Sequence, residues 1–196
     1  MAALNYSLRS AVAIVAVLNL AYFGVEFAVA LSIGSVSLFA DSVDFLEDAA
    51  VNFLIFAAIG WTAARRSIVG MLLAAILLAP GIATIWMTWQ KIGQPIPPDP
   101  VSLSLTGAGA LVVNVSCALM LAAYRKHASS LAKAAYLSAR NDALANVAII
   151  AAGLATAATA SVLPDIVVGL GIFAINLDAA REVFSAARRE HLDARA

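Results

Sequence analysis

The stretch Ser37-Leu38-Phe39-Ala40-Asp41-Ser42-Val43-Asp44-Phe45-Leu46-Glu47-Asp48-Ala49-Ala50-Val51-Asn52 sets four carboxylates into an otherwise apolar run. With its flanks it extends over residues 36–60, enough to cross a bilayer, which takes about 20 apolar residues. Asp44 and Asp48 are four apart, so their carboxylates share one helix face, one turn apart, and Asn52 continues that row. At about 100° per residue, Asp41, Asp44, Glu47 and Asp48 fit within an arc of roughly 120°. An ionised side chain at mid-bilayer costs roughly 2.5–3.5 kcal/mol on insertion scales. Carboxylates this close cannot all ionise without counter-charge. They need protons, cations or an arginine, and a metal ion serves several oxygens at once.

The rest of the chain asks for the same solvent. Of its 196 residues 63% are apolar and 12% charged, where a soluble domain has about 45–50% and about 25%. The mean hydropathy is +0.93. Lipid is therefore expected around it, and disorder is excluded. Twelve basic residues balance twelve acidic ones, so no basic surface for nucleic acid is offered. Cys117 is the single cysteine; it forms no intrachain disulfide or cysteine-cluster zinc site and is expected to pack. The first apolar run continues to Ser32, too long for a signal-peptide core of about 7–15 residues.

Six spans are expected, at residues 11–32, 36–60, 68–90, 102–124, 131–158 and 162–184. Period-2 alternation is absent, so the spans read as helices rather than barrel strands. The fold class is an all-α integral membrane protein, a six-transmembrane-helix bundle. Residues 1–184 form the transmembrane domain and 185–196 a short charged tail able to extend the last helix. Ten of the twelve cations lie on one side of this arrangement: Arg9, Arg65, Arg66, Arg125, Lys126, Lys133, Arg181, Arg188, Arg189 and Arg195. Lys91 lies on the other side and Arg140 within span five. Both termini are therefore expected in the cytoplasm, with His127 and His191 solvated there rather than bound to a metal.

Span five supplies a second polar row, Ser138, Asp142 and Asn146. Glu47 to Ile55 aligns with Asn141 to Ile149, a hint of internal repetition. Asp44 and Asp48 lie about 12–20 Å from the start of span two, and Asp142 about 17 Å from the start of span five. All three fall near the middle of a core about 30 Å thick. Arg140 projects to the other side of its helix and is expected to pair with a carboxylate on another span. Glu26, Asp41, Glu47 and Asp178 carry no assigned role. Asn114 and Ser116 read as interhelical hydrogen-bonding groups.

The stretch Gly34-Ser35-Val36-Ser37-Leu38-Phe39-Ala40-Asp41-Ser42 resembles the loop into span two of the cation diffusion facilitator family, the zinc-transporter-like cation efflux proteins. Asp142-Ala143-Leu144 resembles that family's span five, and Leu163-Pro164-Asp165-Ile166-Val167-Val168-Gly169-Leu170 the start of its span six. The resemblance covers about residues 9–184. It implies a homodimeric exporter of zinc, cadmium, cobalt, iron or manganese against protons, with no permanent cofactor. It also implies a transport site of Asp44, Asp48, Ser138 and Asp142. Zinc-type members usually carry His where Ser138 stands, and often where Asp44 stands. This chain has no intramembrane His, so its site is harder, which favours manganese, iron(II), cobalt or magnesium relative to zinc. The family's C-terminal cytoplasmic domain is not expected in this short form.

The leading expectation is a secondary carrier in which a divalent cation displaces protons at the carboxylates. The alternative is a non-transporting membrane subunit or sensor on the same scaffold, with a degenerate metal site. An enzyme is not expected, since no nucleophile–base arrangement is visible. A bacterial inner membrane fits the compact form.

Overall fold

The computed structural model describes residues 8–57, 68, 81–122 and 130–193. All ordered elements among them are helices: α1 (Leu8–Ile33), α2 (Val36–Ala57), α3 (81–93), α4 (Pro100–Ala122), α5 (Ser130–Thr159) and α6 (Leu163–Asp193).

Local chemistry sets the helix ends. α1 stops at Gly34, whose φ of 62° is left-handed and suits a residue without Cβ. The Lys91 ammonium donates to the Gly34 carbonyl, placing a cation at the negative end of α1. α2 restarts at once, with the Leu38 N–H donating to Ser35 Oγ at 3.2 Å as a cap. Asp99 caps α4 by accepting the Ser102 N–H at 2.8 Å, with Pro100 in the first helical position. The Ser102 side chain and then its backbone hold the Asp99 carboxyl below the usual carboxylate range. α5 ends at Ala160, which carries a left-handed φ of 49°.

α1 packs along α2 and α4 along α5; α6 lies against α2 and α5, and α4 against α1. Leu38, Phe39, Ala40 and Val43 of α2 meet Ala30, Leu103, Ile149 and Ile172 in the main apolar cluster. Val12 and Val15 meet Cys117, Leu121 and Ala139 in a second one, where Cys117 is the packing residue expected. α6 crosses the start of α2 at Gly169, where a Cβ would sit 2.8 Å from the Val36 carbonyl carbon and 2.9 Å from the Ser37 nitrogen. Just before that crossing, the buried Asp165 carboxylate accepts four hydrogen bonds. They come from Ser35 Oγ (2.7 Å), Ser37 Oγ (2.6 Å), the Val36 N–H (2.8 Å) and the Ser37 N–H (3.0 Å).

The distribution of polarity is that of a protein in lipid. Glu26 and Asp41 are 0% exposed, whereas Trp89 is 73% and Leu119 70% exposed. Among the described residues, three helices are long and apolar enough to cross a membrane: Arg9–Ile33, Pro100–Ala122 and Ser138–Thr159. α2 falls short because its four acids sit in the middle of the run. The apolar part of α6, Leu163–Leu177, is shorter than a span. The expected third span is described at residue 68 and in α3, and α6 continues to Asp193. Arg65, Arg66, Arg125, Lys126, His127 and Arg195 lie outside the described residues, as do the side chains of Lys133, Asp178, Arg188, Arg189 and His191.

Asp165→Ala removes four hydrogen bonds at a buried helix start and is expected to destabilise the fold by about 3 kcal/mol or more. Ala160→Gly relieves a left-handed backbone and is expected to stabilise by roughly 1 kcal/mol. Thermal unfolding midpoints in detergent check both, and they should move in opposite directions.

Candidate metal-ion site

Asp44 and Asp48 are both buried and project from successive turns of α2. Ser138 and Asp142 project from α5 in the same spacing. The structure brings all four to one cavity of about 100 Å³, which Glu47, Asn141, Ile175 and Asn176 also line. Ser138 Oγ donates to Asp48 Oδ1 at 2.9 Å. The Asp48 and Asp142 carboxyls face each other across the cavity. The donor set is carboxylate, amide and hydroxyl oxygen, a hard set suited to hard or borderline divalent ions. Among the described residues no three Asp, Glu, His or Cys side chains converge closely enough to form a finished metal centre. The cavity gathers oxygen donors from three helices without closing them on one point.

Several expectations are corrected. Asn52 does not extend the row into the cavity: its Nδ2 donates at 2.8 Å to the Asp48 carbonyl of its own helix. Asn146 also leaves the row, donating to Asp41 Oδ2 at 2.6 Å and accepting from Asn114 Nδ2 at 3.0 Å. The two asparagines matched by the internal alignment thus do different things. Asn114 is interhelical as expected, but Ser116 is not, since its hydroxyl returns to the Val112 carbonyl at 2.7 Å. Arg140 meets no carboxylate among the described residues; it is exposed and donates to Asn141 Oδ1 at 3.2 Å. Two opposed positions on one helix cannot both face the bundle interior, and Ser138 and Asp142 take that side. Asp41 lies away from the cavity, against Glu26 and Asn146.

Asn141 and Asn176 line the cavity without having been singled out in the sequence. The available signal for Asn176 was an amide inside an apolar run. Asn141 was marked only as the partner of Glu47 in the internal alignment, and both of them line the cavity.

Acids within and apolar side chains outside define a polytopic α-helical membrane protein. The chain matches the cation efflux transmembrane domain over residues 12–190 and belongs to that family. It is a transmembrane cation transporter; the family carries divalent metal cations, and its members are transporters rather than enzymes. Comparison with curated proteins gives no match.

Asn146→Leu strips partners from Asp41 and Asn114 at once and is expected to destabilise by about 2–4 kcal/mol. Asn52→Leu removes one bond within a single helix, together with an Oδ1 that lacks a donor, and is expected to cost less than about 1 kcal/mol. Unfolding in detergent compares the two; equal losses would contradict the assignment of Asn146 as the interhelical amide.

Proposed function

We propose that this chain is a six-span secondary carrier that exports a divalent metal cation in exchange for protons, through Asp44, Asp48, Asp142 and Ser138. The observation that carries this reading is the cavity between α2, α5 and α6, which collects those four side chains in a member of the cation efflux family. In this reading residues 1–184 are the transporting domain and 185–196 a cytoplasmic extension. Both termini face the cytoplasm of a bacterial inner membrane, and the working unit is a homodimer.

Competition supplies the exchange. A carboxylate that binds a cation gives up its proton, and one that is reprotonated releases the cation. With the cavity facing the cytoplasm, the ion enters between Asp48 and Asp142 and displaces protons to that side. The Ser138 hydroxyl then turns its proton away from Asp48 and offers a lone pair to the ion. When the bundle has rocked to the opposite face, protons from that side take the carboxylates and the ion leaves. The all-oxygen set favours manganese, iron(II) or cobalt over zinc and cadmium.

Flux assays in proteoliposomes with an imposed proton gradient test the reading with manganese, iron(II), cobalt, zinc and cadmium. Asp48→Ala and Asp142→Ala are expected to abolish flux while leaving the protein inserted and helical. Normal flux in both would refute the site, and no flux for any metal in the folded wild type would favour the non-transporting alternative. Ser138→His, which adds a softer nitrogen donor, is expected to raise the zinc-to-manganese flux ratio about tenfold, a change worth ~1.4 kcal/mol.

A further inference from the structure

Glu26 on α1 is completely buried, and neither of its carboxyl oxygens has a hydrogen-bond partner. The group it faces is another carboxyl, Asp41 of α2. Asp41 is equally buried; its Oδ2 accepts from Asn146 Nδ2 at 2.6 Å, and its Oδ1 has no donor. Two carboxylates are acceptors only, so turned on each other they repel and leave both Glu26 oxygens and Asp41 Oδ1 without a donor. A single proton between them supplies the missing donor and removes one of the two buried charges. Among the described residues, the titratable groups around the pair are Tyr22 on α1, Asp44 on α2 and Asp142 on α5, and none of these is a cation. Tyr22 is already engaged, its hydroxyl donating to the Thr106 carbonyl of α4 at 2.6 Å. α4 otherwise contributes the amide of Asn114 through Asn146.

We propose that Glu26 and Asp41 form a proton-binding site separate from the ion cavity, holding one proton shared between their carboxyls. The occupant is a proton rather than a metal ion because the donor set is thin. Among the described residues two carboxyls converge here, and Asn146 aims an N–H at one of them, which a cation would oppose. Neither Glu26 nor Asp41 lines the cavity, whose nearest carboxyl on α2 is Asp44, one turn on from Asp41. Asp41 precedes Asp48 by seven residues, about 10 Å along α2. Asn146 lies one turn from Asp142, so α5 touches the proton pair and the ion cavity with successive turns. Loss of the proton makes Asp41 a stronger acceptor for Asn146 and draws on α5 one turn from the ion. That last step, the exchange of this proton against the ion, rests on the carrier reading above; the shared proton itself does not.

Infrared spectroscopy of the full chain in lipid vesicles, without divalent ions, reads the proton directly. A protonated-carboxyl component that shifts in D2O is expected to be absent from both Glu26→Gln and Asp41→Asn and present in Asp48→Asn. Glu26→Gln has the shape of the protonated acid, so its fold is retained. Persistence of every component in both variants would overturn the proposal. So would loss of the pair's component when manganese is added to Asp48→Asn/Asp142→Asn, because the pair would then bind cations. In proteoliposomes, Glu26→Gln is expected to lower the plateau of proton-driven metal accumulation about tenfold per proton lost, for a gradient of about one pH unit. The plateau is the readout because a misfolded fraction lowers the initial rate instead. An unchanged plateau would overturn the exchange role. An intact infrared component with no metal flux in the wild type would refute the carrier reading and uphold the proton site.

Discussion

The Asp165 carboxylate at the head of α2 is the contact on which the rest of the polar interior depends. It receives both serine hydroxyls and two backbone N–H groups of the Ser35–Ser37 turn. Those N–H groups are buried within the protein, away from water, and leaving one unsatisfied there costs about 1–3 kcal/mol. The carboxylate satisfies the orphan donors of the α2 start and complements the positive end of its dipole. It also ties α6 to the α1–α2 turn, and Gly169 allows the two backbones to approach closely enough for that tie. Lys91 fastens α3 to the same turn from the other side. Once this end is fixed, the rotation and depth of every acid on α2 follow from helix geometry.

Those acids divide by depth rather than by face. Asp41 and Asp48 are seven residues apart, a rotation of nearly two whole turns, so they point in almost the same direction about 10 Å apart. The upper one meets Glu26 and Asn146; the lower one meets Ser138 and Asp142. α5 follows the same division, with Asn146 serving the first layer and Asp142 the second. Each layer recruits its own neighbours, and no basic side chain among the described residues neutralises either.

Much of this was legible in the sequence. The rows Asp44/Asp48 and Ser138/Asp142 were legible because i,i+4 spacing and burial cost act within one helix; their joining into one set came from the family resemblance, and the structure has all four lining one cavity. The loop motif led to the right family because Gly34, Ser35 and Ser37 are contiguous in the chain, although their partners, Lys91 and Asp165, are not. What could not be read was the pairing between helices. An angular count put Asp41 with the other three acids, because it ignores depth. Asn52 and Asn146 occupy equivalent places in the alignment, yet one bonds its own backbone and the other bridges α5 to α2 and α4. Arg140 looked like a counter-ion because a buried cation needs an acid, but the side chain is exposed and needs none. Asp165 was seen only as part of a motif; its role as a cap appears when residues about 130 positions apart are brought together.

The two layers share two helices, and that constrains how they can move. α2 carries Asp41 and Asp48 on a rigid rod, and α5 carries Asn146 and Asp142 on another. A slide or tilt of α5 against α2 large enough to change the Asp48–Asp142 separation also changes the hydrogen bond from Asn146 to Asp41, because one turn of helix transmits the displacement unaltered. The head of α2 cannot yield to relieve this, since Asp165 and Lys91 hold it. α5 is itself tied to α4, through the hydrogen bond from Asn114 to Asn146. In the carrier reading proposed above, an ion in the lower layer and a proton in the upper one would act on the same two helices, one turn apart on α5.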